Sequence, residues 1–172
     1  MPQSTGCPAH LAACVELAGF AAAQAVCCLF DRVPFVPMAF ARHGGDNVTV
    51  TLLRGGTPTQ TSAAIRQWLD ANVDGADVAA VVCDAFITVA GVKRDALVVE
   101  GRSYAPGADP VKIAVPYRAH HHPRGFAVHR PKFIVKSLDG HDVDALGRAF
   151  LIGVCAHEAG RRVWDACADE SW

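Results

Sequence analysis

Missing from this sequence are the short motifs that name a reaction. Neither Gly44-Gly45 nor Gly55-Gly56 lies in a G-x-x-x-x-G-K-[ST] or G-x-G-x-x-G pattern, which disfavours a nucleotide-dependent enzyme. G-x-S-x-G is absent too, and with it the turn that exposes a serine nucleophile. The seven cysteines include no C-x-x-C and no spaced pair of the zinc-site type. Five of them, Cys14, Cys27, Cys28, Cys83 and Cys155, sit in apolar runs, and the set reads as reduced, mostly buried thiols of a cytosolic protein. A charge excess is lacking as well: 16 Lys and Arg stand against 17 Asp and Glu, a net charge of -1. That balance gives no electrostatic case for nucleic acid or an anionic membrane surface, and leaves small molecules or proteins as partners. No internal repeat or low-complexity segment is present.

What is there is a chain of 172 residues, 51% hydrophobic, enough to bury one sizeable core, and residues 1–172 read as a single domain. Its longest apolar segment, Leu11 to Phe30, has no basic region before it and is interrupted by Glu16 and Gln24. It therefore reads as a buried helix, not a signal anchor or membrane span. Leu11, Cys14, Val15, Ala18, Ala22, Ala25, Val26 and Leu29 recur at helical spacing, and the helix is expected from about Pro8 to Asp31. The opposite face is mostly alanine and glycine. So little polar surface implies close packing against another layer or a second copy, and a homo-oligomer is expected.

Two strands, Val36 to Arg42 and Val48 to Leu53, flank His43-Gly44-Gly45-Asp46-Asn47, a hairpin loop rich in residues that tolerate positive φ. Thr57-Pro58-Thr59-Gln60 has the form of a capping box and opens a second helix, with Gly75 expected to close it. From Val78 to Leu138 come four strands: Val78 to Ala90, Asp95 to Tyr104, Val111 to His120, and Phe126 to Leu138. On the first, the odd positions are wholly apolar and the even face carries Asp84 and Thr88, which gives one core face and one mixed face. Pro131 cannot donate to a sheet ladder and marks an edge or a bulge in the last. A long helix, Val143 to Glu170 with Asp142 as N-cap, closes the chain.

The fold class is thus α+β, a mainly antiparallel sheet in the order α-β-β-α-β-β-β-β-α with helices packed on it. The list of elements resembles that of the small roadblock, longin and profilin domains, without any shared residue motif. That resemblance implies dimeric scaffolds and adaptors.

Three constellations carry chemistry. In Arg118-Ala119-His120-His121-His122-Pro123-Arg124-Gly125, followed by His129, a two-residue Arg124-Gly125 loop sets His129 opposite His120, on the face that also holds His122. Three imidazoles there form a candidate site for zinc or another transition metal. The second is the mixed sheet face, where Asp84, Glu100, Arg102 and Arg118, with Arg124 beside them, are binding candidates for a small anionic ligand. A three-residue loop before Asp95 makes Asp84 and Arg102 direct neighbours there. The third, His157-Glu158, lacks the second histidine of H-E-x-x-H because Arg161 occupies that position. Two functional readings follow: a cytosolic, self-associating interaction or small-ligand binding module, and a metal-dependent or His-assisted enzyme using His120, His122 and His129.

Overall fold

A computed structural model describes residues 7–72, 74–134 and 140–171. Helix α1 (Ala9–Phe30) is followed by strands β1 (Met38–Arg42) and β2 (Val48–Leu52), helix α2 (Pro58–Ala71), strands β3 (Val78–Val89), β4 (Val92–Ser103), β5 (Val111–Arg118), β6 (Ala127–Val128) and β7 (Lys132–Phe133), then helices α3 (Val143–Ala156) and α4 (Glu158–Cys167). The strands form one antiparallel sheet in the order β2-β1-β3-β4-β5-β6, with β7 also on β5, so the α+β class expected from the sequence is the class observed.

Local chemistry sets most boundaries. Thr57 and Gln60 exchange the two hydrogen bonds of a capping box, and Asp142 caps α3 through Asp144 and Ala145. The second helix closes on Asn72 in the left-handed region, before Gly75, because the Asn72 side chain ties off the Ala76 backbone at both N–H and carbonyl. At the far edge, three residues, His129 to Pro131, lie opposite two on β5, which is the bulge Pro131 required. Residues 135–138 of the strand expected there lie outside the described residues.

Helix α1 is the centre of the core. One side lies on the sheet, where Gly101 of β4 lets Cys14 approach, and the other is crossed by α3 and α4 at glycines. A β-carbon on Gly19 would stand 2.0 Å from the Phe150 carbonyl oxygen, on Gly153 1.8 Å from that of Glu16, and on Gly160 2.4 Å from that of Ala23. The smooth alanine and glycine face is therefore covered within the chain, and it calls for no second copy. By length and composition α1 also suits a membrane span, yet eleven of its residues, from Leu11 to Val26, are buried in this core.

Two expectations fail in ways that matter for the site. The long C-terminal helix is two helices, broken at His157, whose Nδ1 accepts from Gly160 N at 2.9 Å and caps α4 while Nε2 meets Gln24 of α1 at 2.8 Å. The β3–β4 turn holds two residues, Ala90 and Gly91, both at positive φ, in place of three. A slip of odd parity turns every side chain to the other face. Asp84 consequently lies opposite Leu97, while Arg102 lies opposite Ala79, on the other side of the sheet. The main core is built on Val78, Ala80 and Val82 of β3, under α1; the odd positions Ala79 and Val81 pack with Ile65 and Leu69 of α2. Both faces of the first half of β3 are thus covered, and the expectation of a single core face is corrected.

Candidate functional site

Strand β4 begins at Val92, but β5 pairs with it only from Ala96 onward, so the tip of the β3–β4 hairpin projects past the end of β5. After Arg118 the chain folds into two successive turns, with His122 N donating to the Ala119 carbonyl and Gly125 N to that of His122. Between hairpin tip and turns lies a cleft of about 550 Å³. Phe86, Lys93, Arg94 and Asp95 line it from one side, and Tyr117, Arg118, His121, His122, Arg124 and His129 from the other.

Different contacts bring Lys93, Arg118 and Arg124 to this cleft. Lys93 Nζ sits 3.9 Å from the centre of the Phe86 ring, a cation–π contact on an exposed aromatic. Arg118 donates from Nε to the Gly125 carbonyl at 2.8 Å and from its amino groups to Asp169 at 2.8 Å and the Arg124 carbonyl at 3.4 Å. It is a pin joining β5, the turn and the segment after α4. Arg124 reaches the same Asp169 oxygen at 3.4 Å but remains 65% exposed, and can turn toward solvent or ligand. The Asp169 carboxyl is held well below the usual carboxylate range by hydrogen bonds from Ser171 and then by the Arg118 guanidinium.

Tyr117, in the cleft wall, donates its hydroxyl to Asp84 Oδ1 at 2.8 Å. Burial pushes the Tyr117 phenol up, and the Asp84 hydrogen bond and charge push it further, so it stays a neutral donor. Burial also raises Asp84, against the lowering effect of that hydrogen bond. His129, 2% exposed, donates from Nδ1 to the Asp169 carbonyl at 2.8 Å, and burial lowers its pKa, favouring the neutral ring. Burial pushes the Cys14 thiol up to about 12 and the Cys83 thiol up to about 11, which disfavours the thiolate at both.

The candidates chosen from the sequence are dispersed in part. Glu100 pairs with Lys112 across β4 and β5 at 3.2 Å and Arg102 pairs with Asp70 of α2, both on the face away from α1. The single charged face holding Asp84, Glu100 and Arg102 together does not exist, because the two-residue turn separates them. Arg118 and Arg124 do meet, at the cleft. The three-histidine arrangement is corrected as well. His129 N donates to Pro116 O, four residues along the chain from His120, which the expected register set opposite it. His120 instead stacks on Phe126 at 4.9 Å and bonds the Phe30 carbonyl at 2.9 Å, and His122 Nδ1 accepts from Arg124 N. Among the described residues no group of three His, Cys, Asp or Glu side chains is placed to hold a metal ion.

Lys93, Arg94, Phe86 and Asp169 were missed. Gly91 to Arg94 reads as a turn cluster in the sequence, and only the short Ala90-Gly91 turn makes Lys93 and Arg94 strand residues with fixed directions. Asp169 reads as one charge on a helix stripe; the break at His157 and the bridge from Ala168 to Val128 bring it to Arg118. No family model matches this chain, and no curated protein or solved structure matches it, so the reading of the cleft rests on its own residues.

Proposed function

We propose that this protein is a binding module for a small anionic molecule, bearing phosphate or carboxylate groups, seated in the cleft between the β3–β4 hairpin and the turns after β5. The observation that carries the reading is charge: four of the 16 basic side chains of a chain with net charge -1 line one cleft, against Asp95 in its lining and the Asp169 carboxylate held between Arg118 and Arg124. Exposed Lys93 and Arg124 supply mobile donors, Arg94 and Arg118 fix the potential behind them, and Phe86 and Tyr117 add an apolar flank. The volume suits a metabolite-sized ligand. Free cysteines throughout the described chain favour a reducing compartment as the place of work.

Titration calorimetry with inorganic pyrophosphate tests this directly. Wild-type protein should bind with an affinity that falls as salt rises, and the double variant Lys93→Ala/Arg124→Ala should bind at least about tenfold more weakly, the loss of about 1.4 kcal/mol. Both side chains are exposed, so the melting temperature should hardly change. Arg102→Ala, ion-paired with Asp70 at the far end of β4 from the cleft, should bind as wild type. Absence of binding, or an equal loss in all these variants, would remove the reading.

A further inference from the structure

We propose that Asp169 is an intramolecular competitor for the anion seat, a latch that a ligand must displace; this rests on the cleft being an anion site. The segment after α4 is fastened to the sheet edge by backbone contacts: Ala168 bridges to Val128 in parallel, Asp169 N donates to the Val128 carbonyl at 2.9 Å, and the Asp169 carbonyl accepts from His129. These contacts hold the Asp169 carboxylate where one oxygen receives NH1 of Arg118 and NH2 of Arg124. Its other oxygen accepts from Ser171 N at 3.0 Å. One carboxylate shared by two guanidiniums, fixed by a backbone that does not need that carboxylate to stay in place, has the geometry of a bound anion supplied by the chain itself.

The two arginines answer differently to its removal. Arg118, 14% exposed, keeps its bonds to Gly125 and Arg124 and stays in the cleft wall with an amino group freed. Arg124 has only the 3.4 Å contact to give up. An entering phosphate therefore finds one preset donor and one mobile donor, and its apparent affinity is reduced by the fraction of molecules in which Asp169 holds the seat. Releasing the carboxylate also loosens Ser171, whose amide loses its acceptor.

The test compares wild type with Asp169→Asn, which keeps the size of the side chain and removes its charge. Pyrophosphate should bind Asp169→Asn about tenfold more tightly than wild type. On wild-type protein, saturating pyrophosphate should raise hydrogen exchange at the Ser171 amide, a readout that does not depend on how the variant folds. Equal or weaker binding by a folded Asp169→Asn, or slower exchange at Ser171, overturns the latch and makes Asp169 a residue that positions the arginines. If wild type binds and loses binding in Lys93→Ala/Arg124→Ala, the cleft reading survives that outcome. Failure of both wild type and Asp169→Asn to bind removes both proposals.

Discussion

The crossing of α1 by α3 and α4 and the cleft end of the sheet are held together by opposite means. At the crossing, backbone lies on backbone: Gly19, Gly153 and Gly160 let helices meet with no side chain between them. At the cleft, long charged side chains span gaps between segments that would otherwise not touch, as Arg118 does between Gly125 and Asp169. Close packing is intolerant of added volume, whereas polar pins can be exchanged for water or ligand at modest cost. The rigid end carries the fold, and the adaptable end is where binding can be afforded.

Adding one methyl group should break the first region most severely. Gly153→Ala places a β-carbon 1.8 Å from the Glu16 carbonyl oxygen, and since that neighbour is helix backbone the helices must separate. A loss above about 3 kcal/mol in urea unfolding is expected, beyond ordinary overpacking. Gly147→Ala, with open space around it in the same helix, is the control and should leave stability unchanged or raise it. Similar melting curves for the two would show that the crossing is not as close as described.

Removing the polar pin should cost less. Arg118→Ala loses the charged hydrogen bond to Gly125, about 1.5 kcal/mol, and should speed exchange in the turns after β5 without touching the core amides. If core amides lose protection equally, the two regions are one cooperative unit and the contrast between them is wrong.

The smallest effect concerns acid. His157 caps α4 through a bare Nδ1 while donating from Nε2 to Gln24, which requires the neutral ring, and burial lowers its pKa from the ordinary 6.5. His129 is lowered likewise by burial. With a folded-state value below the unfolded one, the unfolded chain takes the proton first. Stability is therefore fully present above the unfolded value of 6.5 and is lost as pH falls through the lower folded value. Melts at about pH 7.5 and 5.5 should show the drop, and His157→Asn, which can still accept from Gly160 N, should show less of it. An undiminished drop in that variant would assign the effect elsewhere.

Legibility in the sequence followed the range of the physics involved. Thr57 and Gln60, Asp142 and the His43–Asn47 loop were readable because each device closes within a few residues. Pro131 announced the bulge for the same reason, as a missing donor is a property of the residue. The β3–β4 turn was not readable: Ala90 gives no hint of positive φ, a conformation that asparagine would have signalled at that position. That single turn decided which face Arg102 occupies. Among the site residues, Arg118 and Arg124 were visible as a basic cluster, but the partner that organises them, Asp169, is separated from Arg118 by fifty-one positions.

By itself the sequence determined the α+β class, the order of its elements up to the strand ending at Arg118, and the concentration of cations after Val115, because periodicity, capping and composition are local properties written residue by residue. Only the tertiary structure decided that α1 is covered within the chain, that the histidines part company, and that Lys93, Arg94, Arg118 and Arg124 share a cleft. Those outcomes depend on register and on helix breaks, where a shift of one residue reverses a face and no local energy term records the choice.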